Sequence, residues 1–188
     1  MLTSNNLSEK HRNSSKTTTM TFRIDSNVMR KINNEAAHGE ISINALVNQI
    51  LKRYVEWDMS ERKAGMVPVS KPVISHMFSK LTKEEVVTMA EDVAKNAVYD
   101  IALFMKGKID TDSFLIWFLS RMKTCSEISD NINDDGSHTY ILKHDLGGNW
   151  SLYQRSVLEL IFTDFLHKPI RTSITDSTIT LTLENRHS

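Results

Sequence analysis

Residues 17–25 read TTTMTFRID, and their interpretation decides the fold. Thr18, Met20, Phe22 and Ile24 alternate with Thr17, Thr19, Thr21 and Arg23, which is the period of a half-buried strand. No partner strand lies nearby in the sequence. A helix follows instead: Asp25 or Ser26 can cap it, Val28, Ile32 and Ala36 recur at four-residue spacing, and His38-Gly39 stop it. Ser42 then caps a second helix striped by Leu46, Val47, Ile50, Leu51 and Tyr54, running to about Trp57. A lone strand with two short helices has unpaired backbone on both edges and too little area to bury. The economical remedy is a second copy of the chain, whose strand pairs antiparallel with the first. Met20, Phe22 and Ile24 of both copies would then form the dimer core.

The run MTFRIDSNVMRKINNEAAHGEISINALVNQILKRYVEW, with its alternating strand, its HGEISIN turn and the apolar spacing of both helices, resembles a ribbon-helix-helix (Arc/MetJ-type) DNA-binding domain over about residues 17–57. A two-stranded ribbon is one of the shapes the major groove admits. Carried over by position, the resemblance assigns base reading to Thr19, Thr21 and Arg23. Arginine can donate two hydrogen bonds to guanine, and threonine can bond either base type or press its methyl on thymine. The start of the second helix offers open N–H groups and a positive dipole end, so Ser42, Ile43 and Asn44 are the expected phosphate clamp, as the resemblance also implies. Lys16, with Lys10 and Arg12, adds charge from a basic arm. Asp25 departs from the family's usual proline or small residue, and an acid near DNA must point away from phosphate.

Composition bounds the rest. At 188 residues the chain holds one full core and a small additional module. The single cysteine, Cys125, excludes an intramolecular disulfide and a cysteine-based zinc site. No apolar run approaches the roughly 18 residues of a membrane span, and residues 1–19 lack a secretory signal. The expectation is a cytoplasmic, nucleoid-associated protein. The net charge of zero conceals an asymmetry: residues 1–71 carry 11 Lys and Arg against 7 Asp and Glu, and residues 72–188 carry 12 against 16. A basic first part suits nucleic acid, and an acidic second part argues against a seat on DNA.

The expected organisation is a flexible basic arm (1–16), a ribbon-helix-helix unit (17–58), a linker (59–72) marked by Gly65, Pro68 and Pro72, and an α+β domain (73–188). In the last, Thr82 and Glu85 make a capping box before a long helix with Val86, Ala90, Val93, Ala97, Ile101 and Phe104 on one face, ended by Gly107. A second helix spans about Asp112 to Met122. SDNINDDGS reads as a polar loop, HTYILKH as a strand, Trp150 to His167 as a helix, and IRTSITDSTITLTLE as a hairpin around Asp176-Ser177. The fold class is thus mainly α, with an intertwined strand-helix-helix dimer followed by an α+β domain (helix-helix-strand-helix-strand-strand).

Three features of that domain bear on chemistry. His138 and His144, six apart on one strand, could join Asp145 in metal binding or proton transfer, or merely end a strand. Gly147-Gly148 before a helix could cradle a phosphate, or simply bend the chain. Trp117, Phe118 and Met122 could line an effector pocket, although at helical spacing they suit a core. The reading names no catalytic residue, metal or cofactor. It describes a sequence-specific DNA-binding transcriptional regulator, not an enzyme. Its partners are double-stranded DNA, a second copy or higher oligomer, and a small-molecule or protein effector at the C-terminal domain. The alternatives are the antitoxin of a toxin–antitoxin pair and an architectural or segregation protein that coats DNA.

Overall fold

The computed structural model describes residues 17–61 and 63–184. The chain is mixed α/β and divides into two compact units at Asn48/Gln49. In the first unit α1 (Ser26–His38) begins where an Asp25 carboxylate oxygen accepts from the N–H groups of Asn27 at 2.8 Å and Val28 at 3.2 Å. It ends where the Gly39 N–H reaches the Glu35 carbonyl at 2.9 Å and the Ile41 N–H reaches Ala36 at 3.0 Å. Gly39 has an ordinary φ of −82°, and the left-handed residue of this turn is Glu40, at 51°. α2 (Ile43–Arg53), within which the division between the units falls, follows, with the Ser42 hydroxyl accepting from the Ala45 N–H at 3.1 Å.

Residues 17–25 form no strand in the single chain, so the expected N-terminal ribbon is not seen. A strand exists through its ladder, and the strands formed among the described residues are engaged with one another in the second unit. The apolar side chains of the segment stay in solvent: Met20 is 69% exposed, Phe22 56% and Ile24 44%.

The second helix outlasts its expected end at Trp57. It continues through a π-helical segment, Tyr54–Asp58, into α3 (Met59–Glu61), because Trp57 is buried and its indole N–H donates to Glu61 at 2.5 Å. A helix that the sequence reading missed, α4 (Lys71–Ser79), then takes Pro72 into its first turn. There the missing N–H costs nothing, so this proline starts a helix instead of breaking one.

The long helix of the second unit consists of α5 (Lys83–Val93), a π segment (Ala94–Val98) and α6 (Tyr99–Lys106). The Thr82/Glu85 capping box is formed, and Gly107 closes the helix at φ 73°. Its buried row is Val86, Ala90, Ala94, Val98 and Ala102, whereas the expected Phe104 is 58% exposed. A π segment, bonded i to i+5, holds more residues per turn than an α-helix and keeps a row spaced by four on one face. α7 (Thr111–Met122) starts from an Asp110/Ser113 capping box and buries Phe114, Trp117, Phe118 and Met122.

The sheet is antiparallel in the order β1-β2-β4-β3, built from β1 (Glu127–Ile132), β2 (His138–Lys143), β3 (Ile170–Ile174) and β4 (Thr178–Leu183). β1 corrects the expected SDNINDDGS loop, since Ser129–Ile132 are strand and only residues 133–137 form the turn. As an edge strand it buries little: Ile128, opposite Leu142, is half-buried, and Ser129, Asp130, Asn131 and Ile132 remain exposed. α8 (Gly148–Leu160), prolonged by a π segment (Ile161–Phe165), joins β2 to β3. Tyr140, Leu142, Ile179 and Leu181 of the inner sheet face share the core with Phe114, Phe118, Leu158 and Phe162 of the helices. The hairpin β3–β4 forms around Asp176-Ser177 as read, with Ile174 opposite Ile179.

Candidate nucleic-acid interface

The candidate interface is assembled from the segment before α1 and the turn before α2. Thr19, Thr21 and Arg23 are exposed, and so are the alternating Met20, Phe22 and Ile24. In one chain both faces of this segment are therefore available, one polar and basic, the other apolar. The Asp25 carboxylate is turned onto the N-terminal end of α1, where helix N–H groups hold it. Its charge there faces the positive end of the α1 dipole.

At α2 the Ser42 hydroxyl is already occupied by the Ala45 N–H. The N–H groups of Ile43 and Asn44, first in the helix, have no carbonyl one turn behind them within it. These two backbone groups are the better anion donors, and the Ser42 side chain serves to hold the helix end open. Ile43 itself remains partly exposed at the surface. Lys16, Lys10 and Arg12 lie outside the described residues.

No protein-family model, curated protein or solved structure matches this chain. The segment presents exposed threonine and arginine side chains, and α2 separately offers the open N–H groups of its first turn.

The second unit separates the residues that the sequence grouped together. His138 faces Asp130, with Nδ1 3.6 Å from a carboxylate oxygen. His144 is buried past the end of β2: its Nδ1 accepts from the Leu146 N–H at 3.2 Å, so its Nε2–H donates to the Ser151 hydroxyl at 2.8 Å. Burial, the largest influence, lowers the His144 pKa from 6.5; Asp145 opposes that shift and Lys71 adds to it. Asp145 is paired with Lys71 at 2.9 Å. Among the described residues no three His, Cys, Asp or Glu groups come together to hold a metal. Trp117, Phe118 and Met122 belong to the core.

The Gly147-Gly148 turn does open α8, with Gly147 at φ 89°. A carboxylate already stands there, however. A Cβ on Gly148 would meet the Asp176 Oδ1 at 2.5 Å, so the hairpin turn seats an acid against the helix end where a phosphate was considered. Sequence reading missed this juxtaposition, and missed Lys83 and Arg155 across the same cavity. The only local signal was a glycine at a helix start, and the three charged residues come from separate parts of the chain.

Proposed function

We propose that the chain is a sequence-specific DNA-binding regulator. It dimerises by pairing residues 17–24 of two copies into a ribbon and reads base edges with Thr19, Thr21 and Arg23. The observation that carries this reading is the exposed alternating row Met20, Phe22 and Ile24, placed directly before two capped helices. Three large apolar side chains left in water at two-residue spacing are satisfied by one arrangement above others, a strand from a second copy. Further apolar exposure at Val28, Ile43, Ile50 and Leu51 supplies surface for the helices of that copy to cover.

Once two strands pair, the opposite face carries Thr19, Thr21 and Arg23 twice, related by a two-fold axis. Such a face suits a palindromic site. The N-termini of α2 then bind phosphate on either side and fix the register. The second unit, with its own core, serves as the domain for oligomerisation or response.

The test is selection of bound duplexes from a random library by the purified chain at two salt concentrations, together with its mass in solution. A short palindromic or repeated consensus, retained by a dimer with affinity falling steeply as salt rises, is the expected result. Retention without a consensus would indicate a coating protein, and no retention at either salt would remove the DNA reading.

A further inference from the structure

The second unit contains a cavity of about 630 Å³ walled by α4, the first residue of α5, the first turns of α8 and the β3–β4 turn. We propose that it binds a small zwitterion with an apolar body: one carboxylate and one ammonium group on a backbone that also carries a hydrocarbon side chain. A free apolar amino acid and a dipeptide share this chemistry. The inference lies wholly within the second unit and is independent of the DNA reading.

The walls are preformed. The Asn149 amide donates to the carbonyls of Phe78 at 2.9 Å and Leu81 at 2.8 Å, tying the α4–α5 turn to α8 across about seventy residues of sequence. The β3–β4 turn is held from two sides. Within it the Thr175 N–H bonds Thr178 at 2.9 Å, and from outside the His144 N–H bonds the Ser177 carbonyl at 2.8 Å. Four elements distant in sequence are thereby locked around one space, and its volume falls in the usual range for small-ligand sites of about 300–1,000 Å³.

The charges in the lining give the class of ligand. The exposed Lys83 ammonium and Asp176 carboxylate line the same cavity, and among the described residues neither side chain makes a hydrogen bond or ion pair. Arg155 leans on Glu159 at 3.7 Å, yet its Nε is buried with no hydrogen-bond partner. Lys83 and Asp176 are thus one cation and one anion without a partner, while the Arg155 charge is answered by Glu159 and only its Nε lacks a hydrogen bond, so the lining asks for a ligand carrying both signs. An inorganic anion would satisfy the cations and be repelled by Asp176. A simple amine would do the reverse. The same lining includes Phe78, Leu146, Leu152 and Ile174, apolar surface that a bare ion would leave wet. The helix end at Gly148 is not what carries the site, since Asp176 already stands against it.

The experiment is isothermal titration of the full chain with L-phenylalanine and with the dipeptide Phe-Leu, each repeated with its N-acetylated and C-amidated form and with inorganic phosphate. Saturable binding of one zwitterion is expected, weakened by about tenfold or more when either end is blocked. The member that binds identifies the source. Asp176→Asn should abolish the preference for the free amine alone, and Lys83→Gln the preference for the free carboxylate alone. If Asp176→Asn loses its helical circular dichroism, Lys83→Gln, on the exposed first residue of α5, decides the matter. No binding at millimolar concentration, equal binding of the blocked forms, or tighter binding of phosphate than of either zwitterion would overturn the proposal.

Discussion

Glu40 holds a left-handed backbone, φ 51°, at the turn between α1 and α2, and a side chain with a Cβ pays roughly 1 kcal/mol or more for that conformation. Glu40→Gly is therefore expected to stabilise the chain by about 0.5–1 kcal/mol in urea unfolding. Gly39, the residue that the sequence offered as the special one, has an unstrained backbone. A glycine is visible in a sequence, and the φ angle of its neighbour is not. On DNA, Arg23→Ala should relax specificity at one base pair per half-site, with a loss of roughly 1–3 kcal/mol. Ser42→Ala should weaken binding to all sequences alike, because the serine shapes a phosphate contact. Competition titrations of selected against scrambled duplexes separate the two outcomes. His144 makes a pH prediction. Its folded pKa lies below the unfolded 6.5, so its contribution is fully present above pH 6.5 and is lost as the pH falls from there through the depressed folded value. Protonation also removes the acceptor that the Leu146 N–H uses. The fall in melting temperature between neutral and mildly acid pH should be smaller in His144→Asn, which keeps an acceptor near the Nδ1 position.

Among the elements, the α5–α6 helix shows how a correct boundary can accompany a displaced face. The capping box and Gly107 were legible because each is a matter of residues three or four apart. The buried row departs from the expected one after Ala90, where the π segment alters the residues per turn, and an ideal helical wheel carries no sign of that. Two substitutions check the register. Phe104→Ser, at an exposed position, should change stability by about 0.5 kcal/mol or less. Ala102→Leu, at a fully buried one, should cost about 1–3 kcal/mol by overpacking. Guanidinium unfolding of both variants reads the difference. β1 was missed for another reason. Its polar residues face water from an edge, so it lacks the apolar alternation that marked residues 17–24, and only pairing with β2 makes it a strand.

For the whole molecule, the central question is what covers the apolar surface before α1. Phe22 is more than half exposed in one chain, so Phe22→Ala should leave the second unit's unfolding unchanged while reducing association and making it demand higher protein concentration. Sedimentation across a dilution series measures this. If the mass and its concentration dependence stayed as in the parent, Phe22 would have no place in a dimer core. Among the described residues no helix is long and apolar enough to cross a membrane.

The sequence by itself determined the caps at Ser42 and Thr82, the stop at Gly107, the β3–β4 hairpin and the alternation of residues 17–24, and it narrowed the first cap to Asp25 or Ser26, of which the structure uses Asp25. These depend on interactions within a turn or two of backbone, so the residues concerned stand side by side in the chain. Tertiary structure alone decided that polar β1 is a strand, that Pro72 opens a helix, that His138, His144 and Asp145 have separate partners, and that Lys83, Arg155 and Asp176 line one cavity. Burial energy depends on which surfaces meet in space, and no local pattern records where residues many turns apart will be brought together.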